Sequence, residues 1–141
     1  MSLNFRKPVT NDFGEILRLL NSHISNFHPP KGKFEKIFSE FNNNPLRHSI
    51  VVLLDRKIIG FGSLSIGSRI RGGDIAYIED IVVDGYYQNM GVGTKLVQQL
   101  VNLSKEIGCI SCILCSSDEL LQFYSKSGFE KTGNCLRKML F

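Results

Sequence analysis

Ile81-Val82-Val83-Asp84-Gly85-Tyr86-Tyr87-Gln88-Asn89-Met90-Gly91-Val92-Gly93-Thr94-Lys95-Leu96 passes from a β-branched run, through a turn with two closely spaced glycines, into the first turn of an amphipathic helix. Amides at a helix start have no intrahelical partner, and the helix dipole adds partial positive charge there. Such a turn can hold a phosphate by main chain alone. Gly91 and Gly93 let a ligand approach the backbone closely. Spacing by itself fits ordinary turn chemistry as well as phosphate binding. A P-loop is excluded, because no Gly-Lys-Ser/Thr follows the first glycine at the required gap, and a Rossmann fingerprint fits poorly because its third glycine is absent and position 96 is Leu.

The elements around this turn alternate in period. Residues 3–7 read as a short edge strand stopped by Pro8, after which Thr10 or Asn11 can cap a helix whose Phe13, Ile16, Leu17 and Leu20 share one face. A polar loop with His28-Pro29-Pro30 follows, and Phe34, Ile37, Phe38 and Phe41 repeat the helical spacing up to Asn42-Asn43-Asn44-Pro45. Residues 49–54 and 57–66 are β-rich and joined at Asp55-Arg56, which predicts a hairpin. A third run, residues 75–84, follows Arg71-Gly72-Gly73-Asp74.

Beyond the turn, Val92, Leu96, Val97, Leu100, Val101 and Leu103 mark a long helix closed by Gly108. Residues 110–115 read as a strand covered on both faces. A short helix carries Leu120, Leu121, Phe123 and Tyr124 up to Gly128, and Phe129 with residues 136–141 is expected to supply a last strand or pair. The predicted order is β-α-α-β-β-β-α-β-α-β, an α/β (α+β) arrangement with a mixed central sheet flanked by helices on both faces. With 141 residues, no internal repeat and no linker, residues 1–141 are expected to form one domain.

Composition narrows the function classes. A net charge of +4, from Lys and Arg scattered along the chain, lacks the massed basic face of a nucleic-acid binder. No stretch reaches the ~18 apolar residues of a membrane span, and the first residues lack a signal peptide's apolar core. A soluble, cytoplasmic, reducing setting is therefore expected. Cys109-x-x-Cys112 with Cys115 in step suggests metal, but side chains along a strand alternate in direction and zinc needs more ligands in a knuckle turn. Cys109, Cys112, Cys115 and Cys135 are expected to be buried structural thiols, with no metal.

Gln88-x-x-Gly91-x-Gly93 after Ile81-Val82-Val83-Asp84 resembles the coenzyme A signature of the GNAT acetyltransferases. Phe123-Tyr124-x-Lys126-x-Gly128-Phe129 resembles that family's closing motif. Ile78-Glu79-Asp80-Ile81-Val82-Val83 and Leu100-Val101-Asn102-Leu103-Ser104-Lys105-Glu106-Ile107-Gly108-Cys109 extend the resemblance to its glucosamine 6-phosphate N-acetyltransferase branch. The match is good over residues 77–133 and holds in outline for the amino-terminal half.

The resemblance implies a GNAT fold, acetyl-CoA as co-substrate, and acetylation of the amine of D-glucosamine 6-phosphate in a ternary complex, a step toward UDP-GlcNAc. Main-chain groups of Ile81, Val82 and Val83 would align the acetyl-pantetheine arm, and Gln88, Asn89, Met90, Gly91, Val92, Gly93 and Thr94 would hold the pyrophosphate. Lys126 would lie near the cofactor's far end, or stand as a solvated helix lysine. Tyr124 would protonate the departing thiolate, a task suited to a phenol on a rigid helix, or serve as a core aromatic. Glu79 and Asp80 would contact the sugar and order its amine, or simply pair with cations; as strand neighbours they are expected to face opposite sides of the sheet.

The sugar phosphate needs cations, and Arg69, Arg71, Arg137 and Lys138 are the candidates, Arg69 and Arg137 foremost because a guanidinium grips phosphate as a fork. Two positions depart from the branch pattern. Cys115 stands where an acidic sugar-contacting residue is usual, a role Asp118 or Glu119 can supply, and Leu120 stands where Asn often touches the cofactor arm. A homodimer in which the partner completes the sugar site is also implied. Acetylation of another amine, and a silent acyl-CoA binding module, remain as alternatives.

Overall fold

β-branched and aromatic runs with period two prefer a pleated, half-buried surface, and the chain has three of them in succession between residues 47 and 83. A computed structural model, which describes residues 2–24 and 32–141, shows them as the centre of a five-stranded sheet in the order β1-β2-β3-β4-β5. The strands are β1 (Leu3–Arg6), β2 (Arg47–Leu54), β3 (Lys57–Ser68), β4 (Asp74–Val83) and β5 (Ser111–Leu114). The helices are α1 (Phe13–His23), α2 (Phe34–Asn43), α3 (Val92–Ile107) and α4 (Leu121–Ser125). The first four strands pair antiparallel, and β5 joins β4 in parallel after the α3 crossover. The expected loop at His28-Pro29-Pro30 lies outside the described residues.

Each face of the sheet buries one helical layer. On one side Ile50, Val52, Ile59, Leu64, Ala76 and Ile78 pack against Val92, Leu96 and Leu100 of α3. On the other, Val51, Ile58, Phe61 and Val82 pack against Ile16, Leu19 and Leu20 of α1 and Phe38 of α2. Helix α3 comes so close at Gly62 that a Cβ there would stand 2.8 Å from Leu100 Cδ1, so any side chain at this strand position would force the buried Leu100 to shift. The β2–β3 hairpin turns at Asp55 and Arg56, both at positive φ, the twist that a two-residue hairpin connection requires.

The start of α1 differs from expectation. Neither Thr10 nor Asn11 caps it; residues Thr10–Asp12 form a 3-10 turn ahead of α1, and Asp12 at its end reaches back to accept from the Val9 amide at 2.8 Å and from Arg6 at 2.6 and 3.1 Å. The Arg6 hydrogen bonds hold the Asp12 carboxyl below its ordinary range despite its burial. A carboxylate that meets an amide and a guanidinium together makes strong, charge-assisted bonds, which fasten this turn to the end of β1.

Two further expectations are corrected at the carboxy-terminal end. Residues 110–115 were expected to be covered on both faces, but β5 is a half-exposed edge strand, because among the described residues nothing pairs with its far side. The last strand expected from Phe129 and residues 136–141 does not form: this segment is extended coil with Leu136, Met139, Leu140 and Phe141 exposed. A strand needs a row of partner amides and carbonyls, and among the described residues this segment pairs with none, leaving the outer edge of β5 open. Only Phe129 packs inward, edge-on to Tyr124 at 6.0 Å.

Candidate functional site

The site is built where β4 stops sharing its edge with β5. The two strands pair only from Ile75↔Ser111 to Ile78↔Leu114, while on its other edge β4 stays paired with β3 as far as Val83↔Gly60. Residues 79–83 therefore present main-chain groups to an open cleft. A β-bulge sharpens the parting: Glu79 opposes Ser63 and Val82 opposes Phe61, so Asp80 and Ile81 stand against Gly62 alone. Asp80 takes a left-handed backbone, φ 53°, to accommodate the extra residue.

The bulge changes how the two carboxylates are displayed. Glu79 lies on the α1/α2 face, but beyond it strict alternation lapses, and the simple expectation of opposite faces does not describe Asp80. Both residues remain open to solvent by area, yet the protein around them removes enough water to push both carboxyl groups above their ordinary range. For Glu79 desolvation leads, the neighbouring Asp80 charge adds to it, and Arg47 opposes it. For Asp80 desolvation is the cause.

Below the open edge, the turn enters α3. Gln88 donates from Nε2 to the Val83 carbonyl at 3.1 Å, which pins the turn to the end of β4. Asn89 and Gly91 both take positive φ, and Gly91 is the N-cap with nothing within 4 Å of where a Cβ would be. The first helical bond runs from the Lys95 amide to Gly91 O at 3.2 Å, so the amides of Val92, Gly93 and Thr94 are uncommitted by the helix. This stretch of free amides at the head of a 16-residue helix, joined to an open strand edge, fits a long ligand carrying a pyrophosphate at one end. Asp84, which caps the intervening turn through the Tyr86 amide, is held by Arg18 of α1 at 3.3 Å.

Tyr124 reaches the same region through α4. The ring of its neighbour Phe123 lies against Gly93, where a Cβ would come within 3.2 Å of Phe123 Cζ. Tyr124 is half-buried, burial raises its phenol pKa, and its hydroxyl makes no hydrogen bond among the described residues. It lines a groove of about 1200 Å³ with Leu114, Ser116, Asp118 and Cys135.

Other expected site residues are more scattered. Lys126 and Arg137 are exposed, and Arg137 has no hydrogen-bond or ion-pair partner among the described residues. Arg69, just past the end of β3, donates to the Tyr77 hydroxyl at 3.4 Å. Cys115 and Cys135 are not buried thiols: both are exposed and joined in a disulfide with Cα atoms 6.2 Å apart, within the usual span of such a bridge. They lie beyond the last strand residue, outside either apolar layer, where no core encloses them. Cys109 and Cys112 are the free thiols, and among the described residues no group of three or more His, Cys, Asp or Glu comes together as a metal site. No helix among the described residues is long and apolar enough to cross a membrane.

Sequence reasoning named Phe123 within the motif around Tyr124 but not its contact with Gly93, and it missed Tyr77 and Arg47. Tyr77 could be found only through Arg69. Arg47 gave one weak signal, an odd-numbered position in a strand whose odd members face α1 and α2.

Comparison with known proteins agrees with this geometry. Residues 13–129 match the sequence model of the Acetyltransferase (GNAT) family. A glucosamine 6-phosphate N-acetyltransferase of Trypanosoma brucei brucei is 43% identical over 75 residues, which is 52% of this chain and 51% of that protein. The chain thus spans about half the length of that relative. Glucosamine 6-phosphate N-acetyltransferase 1 of Dictyostelium discoideum is 29% identical over 93% of this chain and 87% of its own. The crystal structure of glucosamine-6-phosphate N-acetyltransferase from Arabidopsis thaliana superimposes with a TM-score of 0.90 at 25% identity, covering 100% of both chains.

Proposed function

The chain belongs to the Acetyltransferase (GNAT) family, and from that premise we propose that it moves the acetyl group of acetyl-CoA to the amine of D-glucosamine 6-phosphate, giving N-acetyl-D-glucosamine 6-phosphate. The observation that carries the reading is the parting of β4 from β5 after Ile78, beside the uncommitted amides at the head of α3. The relatives of Trypanosoma and Dictyostelium support the choice of acceptor.

Bound acetyl-CoA supplies the activated thioester carbonyl. The main chain of Ile81, Val82 and Val83 aligns the pantetheine arm, and the turn at residues 88–94, with Lys126 at its outer end, holds the pyrophosphate. Glu79 and Asp80 orient the acceptor and draw a proton from its amine, directly or through water, because only the neutral amine has a lone pair to attack with. An amide near Ile81 stabilises the negative charge that develops on the carbonyl oxygen, and holding both substrates in one cleft supplies much of the rate. Tyr124 gives its hydroxyl proton to the departing thiolate; a phenol holds that proton at neutral pH, and burial shifts its pKa further up. Arg69 and Arg137 neutralise the sugar phosphate. Cys115 borders the acceptor through its main chain, since its sulfur is bonded to Cys135.

Two copies of the chain form the working unit. The unpaired edge of β5 and the exposed apolar residues Leu136, Met139, Leu140 and Phe141 support that arrangement.

Thiol release from acetyl-CoA, measured with glucosamine 6-phosphate, a polyamine, an aminoglycoside and a peptide amine in turn, tests the acceptor. Fastest turnover with glucosamine 6-phosphate is expected. Faster turnover with any of the others would overturn the acceptor assignment and leave the family assignment intact.

A further inference from the structure

Strand register gathers polar side chains on the α1/α2 face of the sheet. Arg47 opposes Ser65, and Ser65 opposes Tyr77; one step along, Ser49 opposes Ser63, and Ser63 opposes Glu79. Directly opposed residues share a face, as do residues two apart on one strand. These six positions therefore form two adjacent rows across β2, β3 and β4. Glu79 sits at one corner and Arg47 at the diagonally opposite one. Arg69 joins the remaining β4 corner through Tyr77.

Arg47 is placed and yet uncommitted. Its guanidinium carbon lies 5.6 Å from the centroid of the Phe41 ring of α2, a cation–π contact that places the group without using its N–H donors on an acceptor. Among the described residues it has no hydrogen-bond acceptor and no ion pair, although its charge is felt at Glu79. A guanidinium whose role was to neutralise Glu79 would close the gap and pair with it. This one stays over the Phe41 ring, near enough for its charge to act at Glu79 but without an ion pair to it among the described residues.

We propose that Arg47 is a specificity-determining residue that receives the anionic group of the acceptor on the α2 side of the sheet. The complementarity is specific: an acceptor carrying an amine at one end and a phosphate at the other meets a carboxylate at Glu79 and a free fork at Arg47, with Arg69 flanking. This inference rests on the acceptor reading above and names the residue that reads the phosphate.

The test compares glucosamine 6-phosphate with glucosamine in the full chain and in R47M, R47K and R56M. Arg56, in the β2–β3 turn, serves as the distant control. In R47M the kcat/KM for glucosamine 6-phosphate is expected to fall about tenfold or more through KM, as suits loss of charge-assisted bonds to one ligand. The fall with glucosamine is smaller, so the preference for the phosphorylated acceptor contracts by about tenfold, while the KM for acetyl-CoA moves by less than about twofold. R47K restores part of the preference, because a point charge replaces the fork.

A wild-type chain with no preference for the phosphorylated sugar would overturn the acceptor reading itself. A preference that survives in R47M, or equal losses with both acceptors, would overturn the role of Arg47 alone. Should R47M fail to fold, R47K decides: full wild-type preference in that variant also contradicts recognition by the fork.

Discussion

Gly93 and Phe123 touch across the site: a single added carbon on Gly93 would stand 3.2 Å from the tip of the Phe123 ring and 3.8 Å from Val83. The contact joins the turn proposed to hold pyrophosphate to the helix that carries Tyr124. The glycine is thus needed twice, once for access to the amides and once to let α4 close against α3.

Gly93→Ala is therefore expected to push the Phe123 ring outward by a few tenths of an ångström and to shift Tyr124 with it. Steady-state kinetics should show a raised KM for acetyl-CoA together with a kcat lower by about tenfold, since displacement of this order degrades positioning. An unchanged kcat would mean that the two helices are not coupled through this contact.

Tyr124→Phe keeps the ring contacts with Phe123 and Phe129 and removes only the hydroxyl. The kcat for thiol release is expected to drop about 100-fold, with both KM values nearly unchanged, as for the loss of a general acid. Wild-type turnover in this variant would show that the thiolate departs without help from the phenol.

The pH profile carries a sign. Burial raises the carboxyl groups of Glu79 and Asp80, so each takes up its proton at a higher pH than a free carboxylate. If their ionised forms order the amine, kcat/KM falls with acid through a midpoint above the ordinary carboxylate range of about 4. Asp80→Asn should remove or displace that acid limb, and a rate profile of the variant that overlays the wild type would separate Asp80 from the chemistry.

The Cys115–Cys135 bridge ties down an otherwise exposed tail. Thiol titration without reductant should find Cys109 and Cys112 only, and reduction should expose all four cysteines. Few contacts besides the bridge hold the tail, so reduction should speed tryptic cleavage at Lys131, Arg137 and Lys138 severalfold while the melting temperature of the body barely moves. Four reactive thiols before reduction would contradict the bridge.

The sequence revealed most of the architecture where periodicity and turn chemistry agree. Ile16 and Leu20 in α1, Phe38 in α2, and Leu96, Val97 and Leu100 in α3 all lie buried at the positions their spacing predicts. The Asp55-Arg56 hairpin and the glycine turn before α3 follow from local preferences alone. The β4 bulge did not, because a positive φ at Asp80 is imposed by pairing with Gly62 and Ser63 on another strand and leaves no mark in the local pattern. The tail failed for a related reason: residues 136–141 look β-prone, but propensity alone does not dock a segment on the open edge of β5. Arg47 left no more than its odd-numbered strand position as a signal, since its meaning depends on Phe41 and Glu79, six and thirty-two positions away along the chain.

The most direct test is the ratio of kcat/KM for glucosamine 6-phosphate to that for glucosamine, read by thiol release from acetyl-CoA. One buried or clamped phosphate contributes charge-assisted bonds, each worth about 1.5–3 kcal/mol, so a ratio of about 100 or more is predicted. A ratio near one, with appreciable turnover of both sugars, would contradict an acceptor site built around phosphate.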